Sequence, residues 1–169
     1  ETRLLVNNIL PVEAPFYDDV EKLLVVPDKG QKVDLISQII TANPSIPTGL
    51  AIEPETISRL EATDGTANSI GNLQAAAQNR PIYSTTWAPL PGSMFESELS
   101  KEVSDQFDRG NSVLHARFGS TDNTTWIATD ALDSNGLEEL MSRGYKRLVV
   151  PEGLLATSNQ GTTIARTFQ

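Results

Sequence analysis

Short apolar runs alternate with amphipathic segments along most of this chain, and this alternation restricts its fold more than any other feature. Residues 46–52 form one such run, with few polar side chains, which is typical of a strand buried on both faces. Between Gln31 and Ala42, apolar residues recur at intervals of three and four, which indicates one face of a helix. Because parallel strands need a crossover connection, the strand–helix order predicts an α/β fold with a parallel sheet of βα units.

The predicted strands are bounded by proline, glycine or polar residues. They are residues 3–10, 22–26, 46–52, 81–87, 124–129 and 145–150. The predicted helices cover 31–42, a segment that begins at 53–55, then 69–78, 93–110 and 111–118, and a last helix that Asp133 or Ser134 caps and Gly144 closes. Right-handed crossovers place the last four strands parallel in one sheet, with their carboxyl ends on one rim.

The length of 169 residues favours one domain with a sizeable core. We predict that residues 31–169 form a βα-repeat domain, and that residues 1–30 add a strand and an extended segment packed against it. The chain begins at Glu1 without methionine, and residues 162–168 are typical of a strand that is just beginning. We therefore expect a fragment of a longer polypeptide.

The charge balance argues against nucleic acid as a partner. There are 13 Lys and Arg against 22 Asp and Glu, and the net charge of −9 repels polyanions and anionic membranes. The apolar runs are far shorter than the roughly 20 residues that span a bilayer, so the segment is not expected to be membrane-embedded.

The sequence motifs that most specifically indicate catalysis or cofactor binding do not occur in this sequence. Without cysteine there is no disulfide, thiolate nucleophile or cysteine-based zinc site. No glycine-rich dinucleotide motif, P-loop or hydrolase elbow is present, so no cofactor is expected. His115 is the only histidine, and it falls in a predicted helix, where an exposed or half-buried position is favoured over a metal site or a catalytic triad.

Four residues follow predicted strands at the rim where parallel α/β proteins bind ligands. They are Glu53, Trp87, Asp130 and Glu152. The indole ring could stack on a sugar while the acids bond its hydroxyl groups, and two suitably separated acids could hydrolyse a glycosidic bond. The alternatives are helix capping for Glu53 and Asp130, a solvated loop acid at Glu152, and packing for Trp87.

Four segments carry a resemblance to a known kind of domain. They are GLAIEP at 49–54, PIYSTTWAPLP at 81–91, WIATDAL at 126–132 and GYKRLVVPE at 144–152. They resemble the barrel domain of large, uncharacterised actinobacterial envelope proteins, which is itself similar to the glycoside hydrolase and polysaccharide deacetylase superfamily. The resemblance spans about residues 31–156 and implies a partial or irregular (β/α) barrel outside the cytoplasm, in a secreted or membrane-anchored protein. Deacetylases of that superfamily hold a metal with an aspartate and two histidines, and with a single histidine no metal is expected here.

Three functions follow from these residues and from the resemblance. The first is a non-catalytic scaffold or a domain that binds cell-wall glycan, within a larger cell-envelope protein. The second is a carbohydrate-active, glycoside hydrolase-like enzyme that uses Glu53, Asp130 or Glu152. The third is a protein-interaction module that pairs an open sheet edge with another envelope protein.

Overall fold

The computed structural model describes residues 8–14, 17–18, 24–90, 92–95, 99–130 and 132–150. Within this part of the chain the protein is a mixed α/β structure with short strands. The strands are β1 (Asn8–Val12), β2 (Tyr17–Asp18), β3 (Leu24–Val25), β4 (Thr48–Ile52), β5 (Thr125–Ile127) and β6 (Arg147–Val149). The α-helices are α1 (Gln31–Ala42), α2 (Pro54–Ala62), α3 (Ala67–Ala76), α4 (Ser100–Phe118) and α5 (Ser134–Ser142), and Gly92–Phe95 form a 3₁₀ turn.

The two main strand pairs are parallel, as the strand–helix order predicts. β1 pairs with β4 in register, from Asn8 opposite Thr48 to Val12 opposite Ile52. β5 pairs with β6 over three residues, and β2 and β3 form a two-residue antiparallel ladder. The described strands therefore form two small parallel sheets and no closed barrel. The prediction that the last four strands share one sheet is wrong, because β4 and β5–β6 belong to separate sheets.

Isolated parallel bridges lie between the two parallel sheets, where the sequence predicts a full strand at 81–87. Ile82 bridges to Leu50 of β4, and Tyr83 bridges to Asp122, just before β5. The prediction of a strand through residue 87 is wrong. The N–H of Ser84 still donates to the carbonyl oxygen of Asp122, at 2.9 Å. Beyond Ser84 the backbone turns towards helices, and the N–H of Trp87 donates to the carbonyl oxygen of Gln106 in α4, at 2.9 Å. Because the N–H of Trp87 is bonded to α4, it cannot form a hydrogen bond with a neighbouring strand.

Helix α4 runs without interruption through Gly110, where the sequence predicts a break. Gly110 is buried, and a Cβ added there would lie 2.4 Å from the carbonyl oxygen of Thr85 and 2.9 Å from the nitrogen of Trp87. The glycine is thus explained by close packing of α4 on the 85–87 backbone and does not mark a helix end.

The other helices follow the sequence pattern closely. α1 has the predicted limits, and α3 begins two residues before its predicted start. The Asp133 carboxylate caps α5 as predicted, accepting from the N–H of Gly136 at 2.8 Å, and Gly144 after the helix has a φ of 91°. The predicted helix start at 93–96 overlaps the 3₁₀ turn at Gly92–Phe95, and α4 begins at Ser100.

Two hydrophobic clusters form the core, one on each parallel sheet. The first packs β1 and β4 against α1, α2 and α3. The second is aromatic, with ring centroids 5.4 to 6.3 Å apart, and it consists mainly of Phe95, Phe107, Trp126 and Tyr145. α4 supplies Leu114 to the first cluster and Phe107 to the second. This helix therefore packs on both sheets.

None of the helices that the structure describes has the length and apolar character needed to cross a membrane. His115 lies in α4 and is exposed, as the sequence predicts for it.

Replacing Gly110 with alanine should destabilise the protein. The added methyl group would meet backbone atoms that cannot rotate away, so we expect a loss of about 1–3 kcal/mol in the free energy of unfolding. Gly71→Ala is the matched control, because Gly71 lies in α3 with no atom within 4 Å of its added Cβ. That variant should gain up to about 1 kcal/mol from helix propensity. Urea denaturation of both variants measures the difference, and equal stabilisation of both would contradict the close contact at Gly110.

Candidate functional site

The carboxyl edge of the first parallel sheet places two glutamates side by side. β1 and β4 end at the paired residues Val12 and Ile52, and Glu13 and Glu53 follow them directly. The backbone N–H of Glu53 donates to the carbonyl oxygen of Val12 at 3.1 Å. The hydrogen bonding between the two strands thus continues for one residue beyond the last ladder pair. Both glutamates therefore lie at the same end of the sheet, the carboxyl edge.

Thr56 joins the two strand ends through its hydroxyl group. This hydroxyl donates to Oε2 of Glu53 at 2.8 Å and accepts from the backbone N–H of Ala14 at 3.1 Å. Thr56 is 1% exposed, so the Glu53 carboxylate is held from the inner side of the edge. Glu53 occupies the N-cap position of α2, as its placement before Pro54 predicts, but its side chain makes no capping hydrogen bond.

The environment of Glu53 favours its protonated form. Burial raises the pKa of this carboxyl, and the hydrogen bond from Thr56 acts in the opposite direction. The negative charges of Glu55 and Glu13 add to the increase in pKa, while Arg59 reduces it. Glu53 is therefore a half-buried carboxyl at a strand end whose pKa lies above its ordinary value, a pattern frequent at functional sites.

Glu13 and Lys32 complete this edge on the solvent side. Both side chains are exposed, and Nζ of Lys32 lies 3.0 Å from Oε1 of Glu13. The sequence analysis did not select these residues, because it ended the first strand at Leu10, before Pro11. Proline is tolerated on an edge strand, and had the strand been extended to Val12, Glu13 would have been identified as a strand-end acid.

Trp87 is buried beside the start of α2. Its carbonyl oxygen accepts from the N–H of Glu55 at 3.1 Å, and the guanidinium carbon of Arg109 lies 3.5 Å from the ring centre. One ring face is thus covered by Arg109, and the side chain is 9% exposed. These contacts correspond to the packing role considered for Trp87, and a sugar could reach the covered face only if Arg109 moved.

The other two predicted strand-end acids are not part of this edge. Asp130 is exposed and follows β5, in the second sheet. Its expected capping role belongs to Asp133, which lies immediately before α5. Glu152 lies outside the described residues.

Two further polar clusters have structural roles. Asp122 accepts hydrogen bonds from Thr124, Thr125 and Arg147. Burial raises the pKa of Asp122, but these bonds and the Arg147 charge outweigh it and hold the pKa below its ordinary value. The hydroxyl of Ser84 bonds to Asn111 and to Tyr145; it is 1% exposed, so a substrate cannot reach it.

A larger cleft lies at the opposite end of the first sheet. It measures about 810 Å³ and is bordered by Ile46 and Thr48, at the start of β4. Arg80 is the one titratable residue among those lining it, and its guanidinium donates to the carbonyl oxygens of Ile46 and Ile40. This cleft is therefore large enough for a ligand, but the residues that line it do not include both an acid and a base for catalysis.

No group of three or more potential metal ligands occurs among the residues that the structure describes. The chain matches no family model, and no curated protein or solved structure shows significant similarity to it.

The raised pKa of Glu53 predicts a specific dependence of stability on pH. The folded state binds this proton more tightly than the unfolded state, so Glu53 lowers the stability progressively as the pH rises from the unfolded pKa of about 4.3 through the folded pKa. Glu53→Gln should therefore be more stable than the wild type at neutral pH, and the difference should disappear below about pH 4.

Thermal unfolding across this pH range measures the effect, with Glu138→Gln as a control on the exposed face of α5. If Glu53→Gln is less stable than the wild type by the same amount at every pH, the effect of burial on Glu53 is not as described.

Proposed function

We propose that this chain is a glycan-binding domain of a larger extracytoplasmic protein of the cell envelope. Its binding edge is formed by Glu13 and Glu53, with Lys32 beside them. The observation that carries the proposal is the in-register pairing of β1 and β4, which brings two glutamates to the same edge.

The chemistry of this edge suits hydroxyl groups. Carboxylates accept strong, charge-assisted hydrogen bonds from hydroxyl donors, and the ammonium group of Lys32 can donate to ring or hydroxyl oxygens. Thr56 fixes the Glu53 carboxylate from within, so part of the entropy cost of ordering the site is already met before a ligand arrives. The acid-rich composition, with a net charge of −9, favours an uncharged or cationic ligand over a polyanion.

Location and architecture are part of the same proposal. The four segments that resemble envelope-protein barrels support a position outside the cytoplasm, and the parallel strand pairs are compatible with part of a (β/α) barrel. A barrel of this kind would place the edge of β1 and β4 at the rim where such folds bind their ligands.

A glycan array followed by titration tests the binding. We expect retention of the wild type on a cell-wall glycan and a loss of affinity of at least about tenfold in the double variant Glu13→Gln and Glu53→Gln, since each lost charge-assisted bond contributes about 1.5–3 kcal/mol. The double variant Asp64→Asn and Glu138→Gln is the charge-matched control, because Asp64 is exposed beyond the far end of α2 and Glu138 is exposed on α5. If the wild type is not retained on any glycan at high protein concentration, glycan binding is refuted. The non-catalytic scaffold would then be the part of the hypothesis that stands.

A glycoside hydrolase is the second candidate, favoured by the raised pKa of Glu53 near a second carboxylate. A general acid must be protonated at working pH, which burial of Glu53 promotes. Glu13 would supply the other carboxyl group, and the two groups must lie about 5–10 Å apart.

Turnover of aryl glycosides distinguishes this candidate from pure binding. If the enzyme uses this edge, Glu53→Gln and Glu13→Gln should each lower turnover by about 100-fold or more. Asp130→Asn and Glu152→Gln should leave it unchanged. Loss of turnover in the latter two variants would instead support the acids of the other strand ends. The protein-interaction module stays a prediction without a specific contact to favour it.

A further inference from the structure

A cleft of about 250 Å³ separates α2 from α4, beside the edge described above. Its α2 wall includes Glu55, Ser58 and Arg59, which recur at helical spacing and so share one face. Trp87 and Arg109 line the other side. The cleft is large enough for a small group such as a carboxylate and its neighbouring atoms, and too small for a drug-sized ligand.

Among the described residues, stacking on Trp87 is the contact that holds Arg109 in this cleft. Its guanidinium carbon lies 3.5 Å from the centre of the Trp87 ring, a separation that a planar group reaches only if it lies nearly flat on the ring. Arg109 is exposed, and with the described residues it forms no hydrogen bond or ion pair. Since stacking uses the face of the guanidinium, its N–H donors in the plane stay available to a ligand.

The titratable residues that line the cleft have a net positive charge, although the protein as a whole is strongly acidic. Glu55 and Arg59 form an ion pair in the α2 wall, with side-chain exposures of 16% and 8%. The charges of Glu55 and Arg59 cancel each other. The positive charge of Arg109 is therefore not balanced by another residue that lines the cleft. The hydroxyl of Ser58 also lines the cleft and makes no hydrogen bond with the described residues, so it offers a further donor.

We propose that this cleft binds a carboxylate group, held by the guanidinium of Arg109 with the Ser58 hydroxyl as second donor. A guanidinium matches a carboxylate through two parallel N–H···O bonds. Stacking on the buried Trp87 fixes the plane of the Arg109 guanidinium before the ligand arrives, and this lowers the entropy cost of binding. The carboxylate belongs either to a sugar acid or to a peptide, and this site does not depend on the glycan edge formed by Glu13 and Glu53.

Nuclear magnetic resonance titration tests the proposal on the whole chain. The two tryptophans give two indole N–H signals; Trp87 reports on the cleft, and Trp126, buried in the aromatic cluster, serves as the internal reference. Glucuronate represents a sugar acid, N-acetylalanine a peptide carboxylate, and glucose an uncharged sugar. We expect a saturable shift of the Trp87 signal with at least one of the two acids and none with glucose.

The variants show whether Arg109 is responsible. Arg109→Gln should weaken binding at least about tenfold, and Arg109→Lys, which keeps the charge but lacks the planar fork, should also weaken it. Lys146→Gln makes the same charge change at an exposed position just before β6, outside the lining of the cleft, and should bind like the wild type. Unchanged backbone spectra confirm that each variant is folded.

Several results would overturn the proposal. They are the absence of a saturable Trp87 shift with either acid, binding that survives in Arg109→Gln, an equal loss in Lys146→Gln, and saturation by inorganic phosphate alone. Binding of glucuronate without N-acetylalanine would identify a sugar acid, and the reverse would identify a peptide. Because Glu53→Gln leaves this cleft intact, failure of the glycan edge and failure of the carboxylate site are measured separately.

Discussion

The close contact between α4 and the backbone of residues 85–87 is the interaction on which the rest of the described structure depends. Gly110 has no Cβ to hold the two apart, and the N–H of Trp87 donates to the Gln106 carbonyl. α4 therefore lies against the segment between the two parallel sheets and reaches both cores, through Leu114 on one side and Phe107 on the other. Since single bridges are the strand contacts between the sheets, packing on this helix holds them together.

The same contact shapes the surface for which ligand binding is proposed. Once Trp87 leaves the strand direction, its carbonyl oxygen meets the start of α2 and its ring supports Arg109. The first sheet then ends in an acidic edge, while the neighbouring cleft carries a guanidinium. Two proposed sites of opposite charge thus lie next to each other, and α2 positions both. The first turn of α2 borders the edge, and one face of the helix lines the cleft.

Two partly buried carboxylates differ in the direction of their pKa shift because they receive different numbers of hydrogen bonds. Burial raises the pKa of both Glu53 and Asp122. Asp122 receives side-chain bonds from two threonines and Arg147, together with a backbone N–H, and its pKa falls. Glu53 receives one side-chain bond, from Thr56, and has acidic neighbours, so its pKa rises. The first carboxylate stabilises a sheet end in its charged form, and the second is available for proton exchange or ligand binding.

The sequence by itself determined the mixed α/β class, the limits of α1, the capping of α5 by Asp133 and the parallel direction of the main strand pairs, because apolar periodicity and capping chemistry are local properties. It also identified Glu53 as a strand-end acid. Only the tertiary structure brought Glu13 beside Glu53, since that depends on a register between strands about 40 residues apart. It alone showed that 81–87 is not a full strand and that Arg109 covers Trp87. Those features arise from the approach of α4, and the packing of two distant segments leaves no periodic pattern in either of them.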